Sequence, residues 1–155
     1  MNTDDVTSYT RQLLENAGDA VVIADRQGKI VFWNTGAASM FGHSSDEATG
    51  HSLDLIIPDR LRERHWVGYL ETMRTGVTSY GERLLAVPGL RKDGSTISIE
   101  FRVTLLYSED GESPSAIAAI IRDVTERWKD TKALRERLGV LEALAHDFTP
   151  ASTKT

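Results

Sequence analysis

The sequence predicts an α+β fold: a five-stranded antiparallel sheet with helices on one face, plus N-terminal and C-terminal helices. Three observations point there. Two short β-like segments near the start are joined by the turn Asp25-Arg26-Gln27-Gly28. Three more follow in the second half, joined by Lys92-Asp93-Gly94-Ser95 and Ser108-Glu109-Asp110-Gly111, both strong hairpin signals. Between the two groups, and again after Thr125, apolar residues recur at helical spacing.

Taken in order, Tyr9 to Ala17 reads as a helix ended by Gly18. Val21 to Ala24 and Ile30 to Trp33 form the first hairpin. Asn34 or Thr35 is placed to cap a short helix from Gly36 to Phe41, closed by Gly42. Ser44 to Glu47 opens another helical turn that stops at Gly50, and Leu53 to Ile57 is a short apolar segment. Pro58 stands where a helix begins. From Pro58 to Arg74, at roughly 100° per residue, Leu61, His65, Trp66, Tyr69, Leu70 and Met73 share one arc, with Arg62 an exception inside it. That places His65 on the buried side.

The later strands are Tyr80 to Leu90, Thr96 to Leu106 and Ser115 to Ile121. Residues 96 to 103 alternate cleanly, so one face is buried and one wet. Pro88 demands an edge or a bulge. From Thr125 onward Leu134, Leu138, Leu141 and Ala145 follow 4-3-4 spacing, a short coiled-coil-like seam. The expected organisation is an N-terminal cap or helix over 1–18, a core over 19–124, a helix over 125–148 and a disordered tail over 149–155.

Composition excludes several classes. A formal net charge of −5 leaves no electrostatic footprint for nucleic acid. The absence of cysteine removes disulfides, thiolate metal sites, a cysteine nucleophile and flavin–cysteine photochemistry. The polar N-terminus is no signal peptide, and Ala116 to Ile121 is too short to span a bilayer. A cytoplasmic location without membrane attachment is the expectation. No P-loop, GxSxG or HExxH pattern occurs, and Glu109 and Asp110 sit at an exposed hairpin tip where nothing shifts them toward acid–base work. An enzyme is not expected.

The segments DAVVIADRQGKIVFWN, AASMFGHSSDEATG, LIIPDRLRERH with its later TG, and RKDGS followed by IIRDVTER occur in a fixed order over roughly residues 10 to 128. As an ordered set they resemble the PAS (Per-Arnt-Sim) sensory domain family. The resemblance implies a PAS fold, a ligand pocket between sheet and helices, and signalling through terminal helices. Within the family, the helix segment is similar to that of heme-binding PAS domains of the FixL and Dos type, in which a histidine on this helix binds the iron. His65 stands 28 residues before Asp93 of the RKDG turn, the same ungapped spacing, and so matches that ligand position. The oxygen-contacting arginine of those sensors corresponds to Leu85, the distal methionine of the Dos type to Arg83, and a propionate-holding basic residue to Glu71.

A neutral imidazole is a good iron ligand, and a heme pocket otherwise needs apolar walls, for which Leu61, Tyr69, Met73, Leu85, Val103 and Ile120 are candidates. Arg83 shares a strand face with Leu85 and would offer a donor there. His65 is also compatible with a half-buried residue bonded to backbone, as PAS domains without a cofactor carry a histidine here too. His43 and His51 read as solvated loop residues, His146 as part of the terminal helix, and no zinc set is expected. Asp123 and Thr125 resemble the family's Asp-x-Thr junction between the last strand and the output helix; Thr125 is placed to cap that helix. Trp128 with Leu134, Leu138 and Leu141 is the expected dimer surface. Three functions remain open: a heme or other small-ligand sensor signalling as a homodimer to a downstream protein, a cofactor-free dimerisation or interaction module, and a sensor of a small organic or fatty acid held by Arg83.

Overall fold

A computed structural model describes residues 2–78, 84–109 and 111–147. The chain divides between Asp123 and Val124 into two compact units. The first holds α1 (Thr3–Asn16), β1 (Ala20–Asp25), β2 (Ile30–Trp33), α2 (Thr35–Phe41), α3 (Ser45–Ala48), a 3₁₀ turn (Leu53–Ile56), α4 (Asp59–Thr75), β3 (Leu85–Leu90), β4 (Thr96–Leu106) and β5 (Ala116–Asp123). The second holds α5 (Thr125–Asp147). Among the described residues no helix is long and apolar enough to cross a membrane.

The strands form one antiparallel sheet in the order β2-β1-β5-β4-β3. Pro88, which has no N–H to give a ladder, lies on the edge strand β3 opposite Ser98, where a missing donor is tolerated. Strand β5 runs past Ile121 to Asp123, because Arg122 and Asp123 still pair with Glu100 and Ile99 of β4. Strand β3 begins at Leu85; the expected stretch 80–83 lies outside the described residues. Helix α1 begins at Thr3, six residues before the expected start. The Asn2 side chain accepts from the Asp5 amide at 2.8 Å while Asp5 reaches back to the Asn2 N–H, a reciprocal cap that starts the helix early.

The core explains why the helices cover one face. Val22, Trp33, Ile30, Ile97, Ile99 and Ile121 point inward from the sheet onto Ala37 and Phe41 of α2, Ala48 of α3 and Ile56 of the 3₁₀ turn. A second cluster joins Tyr69 and Met73 of α4 to Ala24 and Ile117.

Asn34 fastens the first half of this unit. It is 2% exposed, and its Oδ1 accepts from the amides of Val21 (2.8 Å) and Ala37 (2.9 Å). Its Nδ2 donates to the carbonyls of Leu14 (2.9 Å) and Asp19 (3.1 Å). One side chain thus caps α2, completes an edge of β1 and holds the end of α1. Thr35, the other expected cap, is the exposed first residue of α2.

Candidate functional site

Helix α4 carries the site, and the residues around its N-terminus fix it in place. Arg62, the charged exception in the apolar arc, is half-buried because it has acceptors there. Its Nε donates to the Ile57 carbonyl at 3.0 Å and its Nη2 to the Asp54 carbonyl at 3.1 Å, and it pairs with the Asp59 carboxylate at 2.6 Å. Leu70, expected on the same arc, is 58% exposed, so the buried stripe is narrower than the helical periodicity suggests. At the far end Gly76 takes φ +70°, and its amide closes on the Thr72 carbonyl at 2.8 Å.

Three rings form the heart of the site. His65 packs edge-on against Trp66 with centroids 4.9 Å apart and tilts against Tyr69 at 5.6 Å; Trp66 and Tyr69 are 5.4 Å apart. Trp66 Nε1 donates to Asp54 Oδ1 at 2.8 Å, and the Tyr69 hydroxyl donates to the Asp25 carbonyl at 2.5 Å. Arg26 of the β1–β2 turn donates to the Met73 carbonyl at 3.2 Å, to Ser113 Oγ at 3.0 Å and to the Pro114 carbonyl, which ties α4 to the β4–β5 loop.

His65 differs from its neighbours in one respect: its Nδ1 is buried with no hydrogen-bond partner. Burial pushes the imidazole pKa down, with the Asp54 carboxylate pulling weakly the other way, so the ring is neutral at neutral pH. Burial also raises the Tyr69 phenol, which stays protonated as a donor. A neutral imidazole is a suitable axial ligand for heme iron, and the His65 Nδ1 is committed to no other group. On that test the donor present on α4 fits heme.

The expected walls are distributed unevenly. Tyr69 and Met73 are buried, while Leu61 and Val103 are half-buried; Val103 packs on the cluster that contains both of them. Leu85 is half-buried opposite Phe101 on the inner face, and Val87 two residues on is 38% exposed although it faces the same way. The inner face is therefore less covered at β3 than at β1. Ile120 is a correction. It is 55% exposed and pairs with Arg102 and Val21, whereas Ile121 beside it is 3% exposed in the core. Strand alternation turns it to the outer face of the sheet, so it is no pocket wall. Arg83 lies outside the described residues. Glu71 forms an exposed pair with Arg74 at 2.7 Å.

At the junction, Asp123 pairs with Arg91 of the β3–β4 turn at 3.2 Å. Thr125 is the first helical residue of α5 rather than the residue preceding the helix. Trp128, Leu134, Leu138 and Leu141 are all more than half exposed, and α5 buries none of its described residues. His51 and His146 are exposed and His43 is half-buried; among the described residues no three His, Asp or Glu side chains converge as a metal set. Sequence reasoning missed Asp54, Arg26 and the clamp role of Asn34. Only Asn34 had a readable signal, its place just before a helix.

The family model described as PAS fold matches residues 14–129. An uncharacterized protein of Azorhizobium caulinodans is 33% identical over 129 residues, covering 83% of this chain and 17% of that protein. The sensor protein FixL of Bradyrhizobium diazoefficiens is 29% identical over 133 residues, covering 83% of this chain and 25% of FixL. The chain thus spans a quarter or less of the length of these two relatives. The crystal structure of a PAS domain from Colwellia psychrerythraea superposes with a TM-score of 0.67 at 24% identity, covering 79% of this chain and 99% of that one, a likeness of fold.

Proposed function

The chain belongs to the PAS-fold family, and on that premise we propose that it is a sensory domain that binds a small ligand between α4 and the sheet. Heme, held through His65, is the ligand the site supports best. The carrying observation is the buried, unpartnered Nδ1 of a neutral imidazole, framed by Trp66 and Tyr69. Leu61, Tyr69, Met73, Leu85 and Val103 supply the apolar surroundings that a porphyrin needs. When bound, heme would supply redox and diatomic-gas chemistry. The chain's own residues position the imidazole: Asp54 holds the Trp66 indole, Asp25 holds Tyr69, and Arg26 holds the end of the helix. Arg83 remains a proposed donor for the alternative, a small organic or fatty acid.

The test is direct. Added heme gives the purified protein a saturable Soret band, and His65→Ala loses or shifts that band. A wild-type protein that takes up no heme overturns the assignment, and mass spectrometry of the denatured protein then identifies any organic ligand carried instead.

A second observation favours signalling through association of two copies and, with no ligand at all, a dimerisation module. Both terminal helices leave apolar residues in solvent. Val6, Tyr9 and Leu13 are exposed on α1, and Trp128, Leu134, Leu138 and Leu141 on α5. The 4-3-4 spacing on α5 is that of a coiled-coil seam, broadened by exposed Val140 and Leu144. In this reading Asp123 and Thr125 form the output junction, and the signal passes to a downstream protein. Leu134→Glu with Leu141→Glu should convert a dimer to a monomer in sedimentation velocity. A wild-type monomer, or a dimer unchanged by both charges, contradicts it.

A further inference from the structure

Away from His65, a cleft of about 410 Å³ opens at the surface between His43, the segment His51 to Leu55 and the β3–β4 turn. That volume lies within the range of small-molecule sites, roughly 300–1,000 Å³. Its lining is rich in nitrogen: His43, His51, Arg62, Arg91 and Lys92. Asp54 is the one carboxylate among the lining residues, and it is already engaged by Arg62 and by the Trp66 indole. Leu55 and Leu90 contribute apolar surface.

Two of the cations, Arg91 and Lys92, are paired with surface acids that sit outside the lining. Lys92 pairs with Glu47 at 2.5 Å, and Arg91 Nη2 reaches Asp123 Oδ2 at 3.2 Å. Exposed pairs of this kind are weak and easily exchanged for a better acceptor. Arg91 also keeps its Nε–H buried without any acceptor, an unmet donor on a guanidinium shaped to grip an oxyanion.

We propose that this cleft is a second binding site, distinct from the His65–Trp66–Tyr69 cluster, for a small organic oxyanion. A carboxylate or phosphate head is held by Arg91 and Lys92, and an apolar body lies on Leu55 and Leu90. Binding has a consequence at the end of the sheet. The ligand head competes with Asp123, the last residue of β5, for the Arg91 guanidinium, so occupancy loosens the Arg91–Asp123 pair at the point where the chain leaves the sheet.

The full chain, labelled with nitrogen-15, is titrated with inorganic phosphate, butyrate and phenyl phosphate while backbone amides are followed by NMR. Saturable shifts are expected at His43, Arg91, Lys92 and Asp123. Tighter binding of phenyl phosphate than of phosphate reports the apolar subsite, and the stronger of butyrate and phenyl phosphate identifies the preferred head group. Arg91→Gln with Lys92→Gln should weaken binding by about tenfold or more. Asp123→Asn, which removes the competitor, should strengthen it, and His65→Ala should leave it unchanged. No saturable shift with any probe, shifts indifferent to the Arg91 and Lys92 replacements, or weaker binding in Asp123→Asn overturns the proposal.

Discussion

Asn34→Ala is expected to destabilise the first unit by about 3–4 kcal/mol, among the largest costs of any single replacement. The side chain is 2% exposed and serves five backbone groups: the Val21 and Ala37 amides, and the Leu14, Ala17 and Asp19 carbonyls. Alanine leaves two buried amides and three part-buried carbonyls without these partners. Leaving a buried polar group unsatisfied costs about 1–3 kcal/mol, so even partial relaxation leaves a large deficit. Thr35→Ala, one residue on and exposed, should cost less than about 0.5 kcal/mol. Urea unfolding of the two variants checks the claim; equal midpoints would contradict it.

Gly28→Ala should cost about 2–4 kcal/mol and weaken heme uptake, because two penalties act together. Gly28 has φ +76°, a conformation that disfavours any Cβ. A Cβ there would also overlap the far ring of Trp66. That ring has little freedom to yield, since its Nε1 is bonded to Asp54 and it packs against the rings of His65 and Tyr69. Displacing it disturbs the imidazole as well as the turn. Gly50→Ala is the matched control. Gly50 has φ +85° but nothing within 4 Å of its Cβ position, so it carries the backbone penalty alone. Chemical unfolding should rank Gly28→Ala well below Gly50→Ala in stability. Equal losses would show that Trp66 is not wedged against the turn.

Much of the fold was legible because local pattern and tertiary outcome agree. Alternation through Ile97, Ile99, Phe101 and Val103 selects one face, and the sheet buries that face. The turn at Lys92 to Ser95 makes its hairpin, with Gly94 at φ +86°. Ile120 was misread for a physical reason. Ala116 to Ile121 is apolar throughout, so nothing in its pattern says which residues face inward; only pairing with Arg102 and Phe101 decides it. The placement of Arg62 was equally hidden, since it depends on carbonyls of a 3₁₀ turn that apolar periodicity does not reveal. Helical angle alone put His65 on the buried side. That its Nδ1 has no partner depends on long-range packing, as does the Trp66–Asp54 bond that frames it.

The central claim, that His65 is the residue through which this domain holds heme, is tested most directly by His65→Gly supplied with heme and then with free imidazole. Glycine opens the position that the ring occupied, and imidazole in solution can enter it and offer the same nitrogen. The account predicts that the variant lacks the wild-type Soret spectrum and that millimolar imidazole restores it. A His65→Gly protein that takes up heme with the wild-type spectrum, or one whose spectrum imidazole leaves unchanged, would contradict the assignment.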